Sequence, residues 1–311
     1  MPRYLVTGGA GFIGSHLCDA LLARGDRVRV LDDLSTGQRS NLAAGVELIE
    51  GDIADPAAVR DAVVDIDGCF HLAAIASVAR GIEDWLGTHR ANLVGTITIF
   101  DALRRQRVPI VYASSAAVYG DCPVQPITEA SPTRPLSAYG ADKLGCELHA
   151  RVASHVHGIP AIGLRFFNVY GPRQDPESPY SGVISIFCQR LQRKQPVAIY
   201  GDGSQTRDFI YVADVVAALL AAMERAPAFG ADAKVFNVCT GTPTSVLALC
   251  KIVARLSGGD DPEIRHYPGR PGDILQSIGS STAAHAALAL RSPIPLRAGL
   301  TRVLEWLERV S

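Results

Sequence analysis

Thr7-Gly8-Gly9-Ala10-Gly11-Phe12-Ile13-Gly14 stands between a short apolar run, Tyr4-Leu5-Val6-Thr7, and a stretch of helical periodicity that begins at Gly14. A glycine-rich turn that follows a strand and opens a helix is the context that a phosphate-binding turn requires. The spacing is G-x-x-G-x-x-G in place of G-x-G-x-x-G. Gly8 permits the tight turn, Gly11 lets backbone amides approach a pyrophosphate, and Gly14 allows the helix to pack closely. The helix N-terminus, at Phe12 and Ile13, offers amides and a partial positive charge to an anion.

Outward from this turn, strand and helix patterns alternate. Strands are predicted over 4–7, 27–31, 47–50, 68–72, 110–114 and 161–166, and helices over 14–24, 56–64, 85–105 and 139–157. Strands separated by helices imply an α/β fold with a parallel, doubly wound sheet and right-handed crossovers. Asp32 ends the second strand, with Asp33 beside it, about twenty residues past the turn. A carboxylate there accepts hydrogen bonds from an adenosine ribose and repels a 2′-phosphate, which favours NAD over NADP. Asp52, next to Ile53, either caps the adenine amino group or N-caps the helix ahead of Asp55-Pro56. Leu72-Ala73-Ala74 closes the fourth strand with small side chains, as a backbone resting against a dinucleotide requires.

From Gly171-Pro172-Arg173-Gln174-Asp175-Pro176 onward, Pro, Gly and short elements become denser. The expected division is a dinucleotide-binding unit over 1–170 and a smaller lobe over 171–311 that closes over the sheet's carboxyl edge. Residues 209–225 and 235–238 carry strand and helix patterns that can return to the first unit.

The 311 residues are 48% hydrophobic, enough to fill a sizeable core. Thirty basic and 31 acidic side chains leave a net charge of −1, which gives no electrostatic footprint for nucleic acid. The seven cysteines are widely spread, form no C-x-x-C pair and are odd in number, so they read as buried small hydrophobes. No metal site is expected from them. No apolar run approaches the ~20 residues that span a bilayer. A strand begins directly after Met1-Pro2, without a signal peptide, and the expectation is a protein of the reducing cytoplasm.

Tyr139 and Lys143 share one face of a predicted helix. Tyrosine in water titrates near ~10, too high for a base at neutral pH. An ammonium one turn away, with a positive nicotinamide nearby, favours the phenolate. Ser115 follows the fifth strand, where its hydroxyl can hold a substrate oxygen against Tyr139.

Together, the Thr7–Gly14 turn, Asp32, Leu72-Ala73-Ala74, Ser114-Ser115 and Tyr139-x-x-x-Lys143 resemble the extended short-chain dehydrogenase/reductase family, with its Rossmann-type sheet. Arg165-Phe166-Phe167-Asn168-Val169-Tyr170-Gly171-Pro172, Gly201-Asp202-Gly203 with Arg207-Asp208-Phe209, and Arg270-Pro271-Gly272-Asp273 resemble its nucleotide-sugar epimerase branch. The match runs across essentially the whole chain, with the motifs in order. The resemblance implies bound NAD, a UDP-sugar substrate, catalysis by Ser115, Tyr139 and Lys143, and a homodimer whose subunits pair helices 85–105 and 139–157 into a four-helix bundle. It places Asn168 against the diphosphate or uridine, Arg207 and Arg270 on the phosphates, and Asp273 on the ribose or on Arg270. Ser77, Gly182, Val183 and Tyr200 are further substrate contacts that it implies.

The branch carries out several reactions that share a 4-keto sugar. Dehydratases carry Asp-Glu after the catalytic Thr, and decarboxylases resemble a Thr-Ser-Glu-Val-Tyr-Gly pattern. Here Ser115 is followed by Ala116-Ala117-Val118-Tyr119-Gly120, with no acid to donate a proton. Epimerisation at C4 is the simplest remaining outcome, ahead of a UDP-glucuronate epimerase or decarboxylase. A dinucleotide-sensing regulatory protein is the non-enzymatic alternative, but such proteins often lose the tyrosine or lysine, and both are present. Glucose/galactose epimerases of the family carry a tyrosine seven residues after the phosphate arginine, where this chain has Ser277. A small residue there enlarges the wall beside the sugar C2 substituent and admits an N-acetyl group, unless a loop shift fills the space.

Overall fold

Both faces of each central strand are covered, which is why the short apolar runs assemble as a parallel sheet. The computed structural model describes residues 1–175, 182–259, 261–269 and 274–310. In chain order the first half supplies β1 (Arg3–Thr7), α1 (Phe12–Ala23), β2 (Arg27–Asp32), β3 (Glu47–Glu50), α2 (Pro56–Ala62) and β4 (Gly68–His71). It continues with α3 (Val78–Glu83), α4 (Trp85–His89), α5 (Gly95–Leu103), β5 (Ile110–Ser115), α6 (Ala138–His157) and β6 (Ala161–Phe166). The second half begins with β7 (Asn168–Tyr170), α7 (Val183–Gln192), β8 (Val197–Tyr200), β9 (Thr206–Tyr211), α8 (Val212–Phe229) and β10 (Lys234–Val238). It ends with β11 (Pro243–Ser245), α9 (Val246–Leu256), β12 (Ile264–Tyr267), β13 (Gln276–Ser277), α10 (Thr282–Leu288) and α11 (Leu296–Val310).

Seven parallel strands lie in the order β3-β2-β1-β4-β5-β6-β10. Successive residues of β1 point to opposite faces, as the two-residue period demands. Val6 packs with Leu17 and Leu21 of α1 and Val215, Leu219 and Met223 of α8. Leu5, on the other face, joins Val59 of α2, Ile99 and Leu103 of α5 and Ala150 of α6. Each such fully buried aliphatic side chain contributes about 1.5–3 kcal/mol relative to exposure. The strand order reverses between β1 and β4, and a parallel sheet opens a ligand crevice at the carboxyl ends of the strands at such a point.

A second sheet, formed by β11, β9, β13 and β7, and the pair β12-β8 lie outside this order. They share a separate core in which Tyr170, Phe187, Phe209, Leu249, Val253 and Leu300 are buried. Sheet membership differs in detail from the expected division. Asn168–Tyr170 pairs with β9, so it belongs to the second sheet although it lies before residue 171. Of the stretch 209–240, α8 and β10 return to the main sheet, whereas β9 does not.

The expected single helix over 85–105 is interrupted. Residues Arg90–Val94 form a π-helical segment between α4 and α5. Asn92 is the physical reason: its buried side chain accepts from the Ile75 amide and donates to the Ile75 carbonyl, while Thr96 Oγ1 donates to the Asn92 carbonyl. Such a bulge holds the segment after β4 against the helix, an interaction that no periodicity announces. All seven cysteines are buried and free. Among the described residues, no helix is long and apolar enough to cross a membrane.

Candidate active site at the carboxyl edge of the sheet

The glycine turn is built by backbone contact. A Cβ on Gly8, whose φ is +69°, would lie 2.7 Å from the Ala73 Cα, and one on Gly14 would collide with the Gly8 carbonyl. The Gly11 amide donates to the Gly8 carbonyl at 3.2 Å, and Gly11 N-caps α1 without a side-chain cap. The first amides of α1, at Phe12 and Ile13, therefore open onto a cradle with no side chain at its floor. This suits the pyrophosphate of a dinucleotide. The cradle fits NAD.

Asp32, at the end of β2, is buried, and its two carboxylate oxygens accept from the Ala10 and Leu34 amides, each at 2.9 Å. Burial pushes its pKa up, and the two amides pull it back. A carboxylate has about four lone-pair sites, so acceptor capacity remains for ribose hydroxyls. Asp33 is exposed and engaged with Ser35. Asp52 accepts from the Ala54 amide and pairs with Arg90 at 2.6 Å. The N-cap of α2 is Asp55, which accepts from the Ala57 amide, so the capping alternative for Asp52 falls. The Ile53 side chain is buried against Gly95. Leu72, Ala73 and Ala74 follow β4 directly.

Ser137 N-caps α6, its Oγ accepting from the Gly140 amide at 3.1 Å, and this puts Tyr139 in the first helical turn. Gly140 is needed there, since a Cβ would sit 2.6 Å from the Ala117 carbonyl oxygen. That approach brings the start of α6 onto the 3-10 turn Ala116–Val118, which Ser115 N-caps. Ser115 Oγ accepts from the Ala117 amide at 3.1 Å, which uses a lone pair and keeps the O–H to donate. Lys143, buried one turn after Tyr139, donates to the Ala113 carbonyl at 3.0 Å, and its Nζ lies 6.0 Å from the Tyr139 ring centroid.

The other expected substrate residues are spread along the second sheet and its surroundings. Ser77 caps α3 by accepting from the Arg80 amide. Asn168 is exposed at the start of β7, and Gly182 and Val183 begin α7. Tyr200 ends β8, its ring 5.7 Å from that of Tyr267. Arg207 donates to the Ile274 carbonyl at 2.6 Å, and Ser277 pairs with Arg207 in the β13–β9 register. Arg270 and Asp273 lie outside the described residues.

Two buried polar clusters were not anticipated. Arg165 forks onto Glu147 at 2.8 and 2.7 Å, Ser114 donates to Glu147 at 2.5 Å, and Arg165 also donates to the Tyr119 hydroxyl at 2.7 Å. Tyr119 in turn donates to Asn237 of β10. The cluster ties α6 to β5, β6 and β10 immediately below Ser115. Glu147 falls on the helix four residues after Lys143, the only sequence signal for it.

The second cluster centres on His71. Thr96 spends its hydroxyl hydrogen on the Asn92 carbonyl, so it must accept from His71 Nε2 at 2.8 Å. Thr7 accepts from the Ala73 amide and donates to His71 Nδ1 at 2.7 Å. The imidazole is therefore neutral, with its hydrogen on Nε2. Complete burial, with Lys143 nearby, lowers its pKa from 6.5 to about 3.

This arrangement defines a class: a dinucleotide-binding α/β protein with a tyrosine–lysine pair at its cofactor crevice. The model of the NAD dependent epimerase/dehydratase family matches residues 4–239, and the chain belongs to that family. It is 37% identical to a UDP-glucose 4-epimerase of Mycolicibacterium smegmatis, over 99% of both chains. Among solved structures it is similar to the UDP-glucose 4-epimerase of Thermotoga maritima with UDP-glucose, at 35% identity and TM-score 0.94 over 99% of both chains. It is also similar to the UDP-N-acetylglucosamine 4-epimerase of Methanobrevibacter ruminantium in complex with UDP-N-acetylmuramic acid. That match has 32% identity and TM-score 0.93, over 100% of this chain and 99% of the other.

As the pH falls below 6.5, the unfolded chain takes up a proton at His71 that the folded chain refuses until about 3. Stability from this group is thus complete above 6.5 and declines by about 1.4 kcal/mol per pH unit as the solution acidifies through that window. Urea unfolding between pH 7.5 and 5 should show a steeper loss for the parent than for His71→Asn. Equal slopes would mean that the ring accepts its proton in the folded state.

Proposed function

We propose that the chain is a UDP-sugar 4-epimerase that interconverts UDP-GlcNAc with UDP-GalNAc and also accepts UDP-glucose and UDP-galactose. One observation carries the reading of the reaction. Tyr139 and Lys143 stand one turn apart in α6, whose start packs on the turn Ala116–Val118 after Ser115, and that turn carries no acid. Elimination of water across C5–C6 needs a proton donor that this turn lacks.

NAD held at the glycine turn would supply a hydride acceptor for C4 and, once reduced, a hydride donor to the same carbon. Tyr139, at the positive end of α6, takes the proton from the sugar 4-hydroxyl, and the Lys143 ammonium stabilises the phenolate that does so. Ser115 donates its hydroxyl hydrogen to the same sugar oxygen. The 4-keto sugar then turns its other face to the crevice, and Tyr139 returns the proton to the inverted alcohol. Gly8, Gly11, Gly14 and the amides of Phe12 and Ile13 hold the pyrophosphate, Asp32 the adenosine ribose, and Asp52 with Ile53 the adenine. Arg207 and Arg270 clamp the substrate phosphates, for which the planar guanidinium fork is suited.

The sugar assignment rests on Ser277. Its neighbour in register is Arg207, so a phosphate held by that arginine sets the sugar close to the Ser277 wall. A second copy is proposed to pack on α6, where Leu148, Val152 and Val156 form a stripe at four-residue spacing, each more than half exposed. Val94, in the π-helical segment, is exposed on the other helix of the proposed four-helix bundle. Light scattering at micromolar concentration should give twice the chain mass of 33.0 kDa, and the single-chain mass would count against the pairing.

Tyr139→Phe should lower kcat by about 100-fold or more while leaving UDP-sugar binding largely intact, since the hydroxyl acts in the transition state. Turnover near the parental value would reassign the base, with Ser115 the first alternative. Ser277→Tyr should suppress the N-acetylhexosamine pair by roughly 5- to 150-fold, because overpacking a tight site costs about 1–3 kcal/mol. The glucose/galactose pair should keep its kcat/KM. Equal losses on both pairs would remove Ser277 as the gate.

A further inference from the structure

Asp208 is the middle residue of Arg207-Asp208-Phe209 in β9 and is completely buried. Its Oδ1 accepts from the Thr240 amide at 2.8 Å and the Thr240 hydroxyl at 2.7 Å. Its Oδ2 accepts from the Gly241 amide at 2.8 Å and the Gly279 amide at 3.2 Å. All four partners are donors, three of them backbone amides, so the site is shaped for an ionised, acceptor-only carboxylate. Burial holds its pKa above the ordinary aspartate value, and these donors offset only part of that rise.

The two segments it gathers onto β9 come from different parts of the fold. Thr240 and Gly241 lie just beyond Cys239 after β10 of the main sheet, and Gly279 follows β13. Gly279 admits no Cβ, which would lie 2.6 Å from the Phe167 ring. Along β9, pairing with β13 ends at Arg207 and pairing with β7 starts between Phe209 and Asn168, so Asp208 sits at the changeover. Alternate residues of a strand face opposite ways, so Arg207 is presented away from the carboxylate that anchors its strand.

We propose that Asp208 is a positioning residue for substrate recognition: its carboxylate locks β9 to the ends of β10 and β13, and thereby sets Arg207, Ser277 and Asn168 at the spacing a nucleotide diphosphate sugar requires. The role rests on the UDP-sugar reading given above. Replacing the carboxylate with an amide puts an N–H₂ group opposite either the Gly241 and Gly279 amides or the Thr240 amide and hydroxyl, so in either orientation at least one backbone N–H loses its acceptor. The loss should fall on the substrate side of the crevice, since the four hydrogen bonds of Asp208 go to Thr240, Gly241 and Gly279 and not to the glycine turn or the Tyr139–Lys143 helix.

The test is steady-state kinetics of Asp208→Asn and of Thr240→Val, which removes one donor, on UDP-glucose and UDP-GlcNAc, with bound NAD measured after denaturation. Asp208→Asn should raise KM about 10-fold or more, with kcat within about 3-fold and NAD content unchanged, and Thr240→Val should shift KM less in the same direction. An unchanged KM in folded Asp208→Asn would overturn the role, as would equal losses in kcat and NAD content, which mark a merely structural residue. If Asp208→Asn does not fold, Thr240→Val decides: a selective KM rise supports the role, and an unchanged KM defeats it. A parent protein inactive on every UDP-sugar would instead overturn the reading on which the role rests.

Discussion

The backbone of the glycine turn lies so close to its surroundings that no side chain fits at Gly8 or Gly14. The rest of the site depends on that approach. It lets α1 start against the end of β1, aims unpaired amides at one point, and brings the Leu72-Ala73 backbone across from Gly8. Because β1 and β4 are adjacent where the strand order reverses, the same point is the mouth of the crevice. The ends of β2 and β5 then deliver Asp32 and Ser115 to its two sides.

Around this cradle, the reacting side chains are each fixed by a hydrogen bond to neighbouring backbone or by a buried polar cluster. Lys143 is fixed by the Ala113 carbonyl, Ser115 by the Ala117 amide, and the helix that carries Tyr139 by the Glu147–Arg165 fork. A buried ion pair of this kind gains little net stability over apolar packing, but removing one partner costs about 3–5 kcal/mol. Its effect here is geometric: it couples α6 to three strands of the sheet. His71 does the same for β1, β4 and α5 with a neutral ring.

Local patterns revealed much of this architecture. The glycine turn, the six strands of the first half and the Tyr139–Lys143 pair depend on spacing within one element and lie within a residue or so of where it put them, whereas the helix Val78–Glu83 was not anticipated. The interruption at Arg90–Val94 was hidden, because Asn92 leaves the helical pattern to bond Ile75, seventeen residues away in sequence. The clusters around Glu147, His71 and Asp208 were hidden for the same reason: every one joins polar groups, side chain or backbone, from several separate segments. Sheet membership after residue 168 was only partly legible, since short strands such as Asn168–Tyr170 carry no signal of which sheet they join. A lone aspartate before a helix is likewise ambiguous, and Asp55 rather than Asp52 proved to be the cap.

In the proposed reaction, Tyr139 and bound NAD would oxidise and then reduce the same sugar carbon within one turnover. The most direct measurement supplies UDP-GlcNAc and UDP-glucose carrying deuterium at C4 to the purified protein without added NAD. Epimerised products should keep the deuterium at C4, with no label in solvent and no free NADH. Loss of the label to water, or turnover only when NADH is supplied stoichiometrically, would contradict it.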